Sequence, residues 1–130
     1  MSSTAKKTRD VSTRLLRPTL PTVDLPSLLM LVDSWRFDFE VDGNVLVYNE
    51  GTAQYPLCNE ESHNRLYAAL LLDRPSLRCT LSPTEPADPL DETHNNTLHV
   101  TMPDRPLSGQ ETRLFEKLKQ ILAKKGYRFS

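Results

Sequence analysis

The sequence predicts an α+β domain: a small antiparallel sheet packed with about three helices, behind a flexible N-terminal arm. Three observations predict it. Phe37, Phe39 and Val41 alternate with Arg36, Asp38, Glu40 and Asp42, the period-two pattern of a half-buried strand. Leu114, Leu118, Ile121 and Leu122, with Phe115, follow Ser108-Gly-Gln-Glu111 at helical spacing, so a capped helix ends the chain. Residues 1–23 hold few apolar side chains among Lys, Arg, Ser, Thr and Pro, the composition of a disordered basic arm. The domain proper is then 24–130, and a chain of 130 residues is long enough to bury one core without staples.

The elements follow in order. Asp24 is an N-cap, Pro26 suits a first turn, and Leu25, Leu28, Leu29, Leu31, Val32 and Trp35 make a short, largely buried helix. The strand at 37–41 turns at Asp42-Gly43-Asn44 into a second strand, Val45–Tyr48. Thr52–Leu57 forms a third, which Pro56 confines to an edge or an end. A helix over 59–73 places Leu66, Tyr67 and Leu70 on one face and stops before Pro75. Leu77–Leu81 and Thr97–Met102 are strands, separated by a polar, proline-rich, acidic loop at 82–96. Gly126 ends the last helix, and Tyr127-Arg128-Phe129 forms a docked tail or an edge strand.

A near-repeat tests this reading. Pro-Leu-Cys-Asn-Glu-Glu at 56–61 resembles Pro-Leu-Ser-Gly-Gln-Glu at 106–111, and each precedes Arg-Leu-aromatic, at 65–67 and 113–115. The second copy is two residues shorter between these landmarks, which rotates the shared positions by roughly 200° about a helix axis. The match is one recipe for ending a strand and capping a helix, used twice.

Composition excludes more than it assigns. Apolar residues are 38% and charged residues 25%, ordinary for a globular domain, and the net charge of −1 rules out a uniformly basic clamp. The charge is uneven. Lys6, Lys7, Arg9, Arg14 and Arg17 make the N-terminal segment basic, and Arg113, Lys117, Lys119, Lys124, Lys125 and Arg128 do the same for the last helix and tail. Glu85, Asp88, Asp91 and Glu92 make the proline-rich loop acidic. The longest apolar run, 28–32, is too short to span a membrane, and two cysteines without a secretory signal point to a reducing compartment. The expected location is cytoplasmic, with a nuclear or organellar address left open.

Catalytic and cofactor motifs are missing. The four glycines are scattered and build no phosphate cradle. Cys58, His63, Cys79, His94 and His99 have no recognised metal-ligand spacing; the expectation is apolar cysteines and solvated His63 and His94. Asp38, Glu40 and Asp42 share the outer face of their strand and read as solvated carboxylates. No enzyme activity, metal or cofactor is expected.

Two families supply resemblances. The hairpin and "YPLCNEESHNRLYAALLLDRPS" within 37–74 are similar to the opening of OmpR-type winged-helix DNA-binding domains, and "KKGYRFS" looks like that family's terminal hairpin. Residues 75–96 depart from it, with four prolines where the family has its second helix. The element order also resembles that of class I type III secretion chaperones, which implies binding of an extended protein segment.

The expected function is a non-enzymatic adaptor or regulatory domain, monomeric or homodimeric. It binds a protein partner through the edge at Thr52–Leu57 and the acidic loop at Glu85, Asp88, Asp91 and Glu92. The alternatives are a secretion-chaperone-like protein and a winged-helix-like DNA-binding regulator. For the latter, Lys6, Lys7, Arg9, Arg113, Lys117, Lys124 and Lys125 are the candidate phosphate contacts.

Overall fold

The computed structural model describes residues 8–36 and 45–130. The expected strand at 37–41, its turn, the carboxylates Asp38, Glu40 and Asp42, and Lys6 and Lys7 lie outside those residues.

The fold is mixed α+β, with four helices and small sheets of two or three strands among the described residues. The first departure from expectation is the N-terminal segment. Three strands, β1 (Thr8–Ser12), β2 (Leu16–Arg17) and β3 (Thr22–Asp24), occupy what reads in sequence as a disordered arm. Val11, Leu16 and Val23 are buried there. They are too few and too widely spaced to register as a pattern, yet each reaches the core because its strand is paired.

Helix α1 (Leu25–Trp35) starts where expected: Asp24 caps it by accepting from the Ser27 amide, and Pro26 sits in the first turn. Strand β4 (Val45–Val47) leads to β5 (Tyr55–Pro56) and α2 (Glu60–Leu71). Strand β6 (Ser76–Leu81) is followed by a short helix, α3 (Pro89–Thr93), inside the expected loop. Strand β7 (Thr97–Thr101), α4 (Gly109–Lys124) and β8 (Arg128–Phe129) complete the chain.

Pairing corrects the expected antiparallel sheet. Among the described strands, only β1 runs antiparallel to its neighbour, β6; the ladders β4–β6, β2–β5, β3–β7 and β7–β8 are parallel. Helices and long loops intervene between most paired strands, and such crossovers permit parallel pairing where a tight hairpin would not. An isolated antiparallel bridge joins Val47 of β4 to Leu57, the residue after β5.

The core lies between the helices and the sheets. Leu28 and Val32 of α1, Leu66 and Tyr67 of α2, Leu118 and Leu122 of α4, and Val45, Val47 and Leu98 of the strands are all nearly or fully buried. The two copies of the near-repeat do cap helices, but at different positions. Asn59 caps α2 from the fourth residue of its copy, and Ser108 caps α4 from the third of its own, with the full capping box to Glu111. Capping chemistry, not a duplicated unit, explains the match.

Candidate basic cleft

The N-terminal segment is held by one buried histidine. His63 accepts at Nε2 from the backbone amides of Thr19, at 2.9 Å, and Leu20, at 3.1 Å. Its Nδ1 lies 2.7 Å from the Asn59 carbonyl oxygen. A carbonyl only accepts and an amide N–H only donates, so the neutral ring carries its proton on Nδ1. Burial lowers the His63 pKa to about 4, against a smaller opposing effect of the Asn59 carbonyl. The expected solvated His63 is therefore a structural tie: every ring nitrogen is satisfied, and it is only 2% exposed.

This tie positions Arg17, just upstream. Arg17 Nη1 donates to Asp88 Oδ2 at 2.6 Å, and Nη2 donates to Glu50 Oε2 at 3.2 Å. Arg17, Arg14 and Lys125 line one cleft of about 210 Å³, together with Gln54 and Tyr127. Two basic stretches more than a hundred residues apart in sequence thus converge. Lys124 is exposed beside the cleft's Lys125 in sequence, and Arg9 donates to the Tyr55 hydroxyl at 3.0 Å, next to Gln54 in β5. Burial pushes the Tyr127 pKa up; Arg17 pulls it down and Asp88 raises it, which puts the phenol within electrostatic reach of that ion pair.

The expected basic face of the last helix divides. Arg113, Lys117 and Lys124 share one side of α4, whereas Lys125 lies roughly 120° round the axis from Arg113. Lys117 is committed, donating to the Leu71 carbonyl at 2.9 Å and to Asp73 Oδ2 at 3.0 Å. Arg113 is exposed on the same side as Lys117. Among the described residues, Lys125 is the one expected contact that lines the cleft; Arg14 and Arg17, read as part of the basic arm but not among the candidate contacts, line it as well. Strand assignment alone would not have found them, since β1 pairs with β6 and β2 with β5, and Lys125 meets Arg14 and Arg17 only through side chains around the cleft.

The expected protein-docking devices are differently disposed. The segment at Tyr55–Cys58 is hydrogen-bonded on both sides: the Leu57 amide donates to the Arg17 carbonyl, while the Tyr48 amide donates to the Pro56 carbonyl and the Cys58 amide to the Leu46 carbonyl. It offers no free edge there, because β2 takes the position that an incoming strand would use. The acidic loop is likewise docked. Leu90 is buried, its amide donates to the Thr19 carbonyl, and Asp88 both caps α3 and holds Arg17. Glu85, Asp91 and Glu92 remain exposed.

A larger groove, of about 580 Å³, runs between α1 and the start of α4, with Leu29, Met30 and Leu114 in its walls. Met30 is 75% exposed and Met102 47%.

The other chemistry-bearing residues are quiet. Burial pushes the Cys79 thiol up to about 12, with Asp10 adding to it, and burial also raises Cys58 against a hydrogen bond from Ser82. Neither is a thiolate nucleophile near neutral pH. Among the described residues, no three His, Cys, Asp or Glu side chains converge to hold a metal ion, and no helix is long and apolar enough to cross a membrane.

No protein-family model matches the sequence, and no curated protein does. Among solved structures, the chain is similar to the crystal structure of the C-terminally truncated chromosome-partitioning protein ParB from Caulobacter crescentus, complexed with CTP-gamma-S. The TM-score is 0.50 at 16% identity, and the match covers 92% of this chain but only 64% of that one. At that identity the likeness is one of fold.

Proposed function

We propose that this chain is a non-enzymatic regulatory domain that contacts nucleic acid through phosphate groups at the Arg14–Arg17–Lys125 cleft. The observation that carries the reading is the convergence of basic residues from both ends of the sequence on one surface. Phosphate contacts of this kind supply sequence-independent affinity and place a protein on its duplex. The fold it shares with a chromosome-partitioning protein is consistent with that role and does not by itself assign it.

The helix starts favour side-chain cations over a nucleotide cradle. A free helix N-terminus attracts phosphate. Here the Asp24 side chain caps α1, Asn59 caps α2 with Glu60 and Glu61 in the first turn, and Ser108 with Glu111 caps α4. All three ends are already satisfied and carry carboxylates, which repel a triphosphate. Binding of a nucleoside triphosphate, such as the CTP analogue in the similar ParB structure, at a helix end is therefore not proposed.

The test is fluorescence anisotropy of the full chain against random duplex DNA across a salt series. The reading expects binding that weakens steeply as salt rises. Absence of binding at low salt contradicts it. One observation favours a second reading, a protein-binding adaptor: Met30 and Met102 stand exposed, Met30 lining the α1–α4 groove. Met30→Glu discriminates the two, since it leaves DNA affinity unchanged if the basic cleft carries the function.

A further inference from the structure

Among the described residues, the acidic segment at 85–92 is a strongly charged feature that the proposed cleft does not absorb, yet it is anchored at the cleft. Asp88 Oδ2 takes Arg17 Nη1 at 2.6 Å while its Oδ1 accepts from the Asp91 amide at 3.2 Å. One carboxylate thus joins the N-terminus of α3 to a cleft cation. Glu50, from the loop between β4 and β5, takes the other terminal nitrogen. Carboxylate and phosphodiester oxygens bind a guanidinium with the same planar geometry, so two carboxylates occupy on Arg17 the positions phosphate oxygens would use.

The anchor is built to release. Helix α3 is five residues long, too short to be stable alone. It is held by the Asp88 ion pair, by buried Leu90 and by the bond from the Leu90 amide to the Thr19 carbonyl. Segments with so few attachments open at low cost relative to global unfolding.

We infer that residues 85–92 form an intramolecular competitor for the basic cleft, with Asp88 and Glu50 standing in for phosphate oxygens on Arg17. This rests on the phosphate-binding reading above. In the closed state Arg17 is held by two carboxylates, Asp88 and Glu50; when phosphate displaces Asp88, Arg17 joins the nucleic-acid contact and α3 detaches. Exposed Glu85, Asp91 and Glu92 then leave the neighbourhood of the bound polyanion.

The experiment compares the full chain with Asp88→Asn and Glu50→Gln in duplex-DNA anisotropy, and follows amide exchange across 85–93. Asparagine still caps a helix, so Asp88→Asn removes the charge without removing the cap. One freed cation corresponds to about one more phosphate contact, so affinity should rise roughly tenfold near 50 mM salt with a slope steeper by about 0.9. Exchange across 85–93 should quicken when DNA binds the unmodified chain. If that chain binds and both variants bind equally or more weakly, the carboxylates orient Arg17 instead of masking it, and the competitor is overturned while the cleft stands. Slowed exchange on binding overturns it too. If no form binds, the cleft itself fails; if only the variants bind, both inferences hold.

Discussion

His63 Nε2 lies 2.9 Å from the Thr19 amide nitrogen, so one neutral imidazole on α2 holds the N-terminal segment beside the cleft. Protonation at Nε2 replaces the acceptor with a donor and sets it against two amide N–H groups.

This makes stability pH-dependent. The folded pKa is depressed to about 4 from 6.5. Between those values the unfolded chain binds a proton that the folded chain refuses, so stability falls as pH drops through the window. The contribution is fully present above about 6.5 and amounts to about 3 kcal/mol at its limit. Urea midpoints should decline from pH 7 to pH 5 in the natural chain, and His63→Gln should flatten that decline. Parallel declines in the two proteins would assign the acid sensitivity elsewhere.

Tyr67 offers the opposite case. Its ring is fully buried in α2, and its hydroxyl has no hydrogen-bond partner among the described residues. Burial, and then the nearby Tyr127, raise its pKa, so it is a neutral phenol. A buried unpaired hydroxyl costs about 1–3 kcal/mol of desolvation. Tyr67→Phe should therefore stabilise the fold by roughly 1 kcal/mol, raising the thermal midpoint by several degrees. A lower midpoint would mean that the hydroxyl has a partner in solution.

The capping box gives a local prediction. The Glu111 amide donates to Ser108 Oγ at 3.1 Å, and the Ser108 amide donates to Glu111 Oε1 at 2.9 Å. Arg105 also clasps the Glu111 carboxyl and, with the Ser108 amide, holds its pKa down at about 2. Ser108→Ala should cost about 1 kcal/mol in chemical denaturation. Because Glu111 stays ionised through the mildly acidic range, that cost should be the same at pH 5 and pH 7.

Helices were more legible in the sequence than strand partners. Asp24, Pro26, Ser108, Glu111 and Gly126 each act locally, through a cap, a first turn or a positive φ of 93°, and all behave as read. The β1 segment was not legible, because only Val11 of its five residues is buried and its stability comes from pairing with β6, sixty-odd residues away. His63 gave no signal for the same reason: its partners are backbone amides of Thr19 and Leu20, which carry no side-chain identity. The cleft was half legible. Lys125 and the uneven charge were legible, whereas the placement of Arg14 and Arg17 beside Lys125 is tertiary.

The most direct test of the cleft compares two paired substitutions in the salt dependence of duplex-DNA binding. Arg14→Ala/Lys125→Ala removes cleft cations; Arg113→Ala/Lys117→Ala removes the same charge from a stripe of α4 that does not line the cleft. Each lost phosphate contact should lower the salt slope by about 0.9, so the cleft pair should lose up to roughly 1.8 and the control pair close to none. Equal losses from both pairs would mean that net charge, and not this cleft, governs binding.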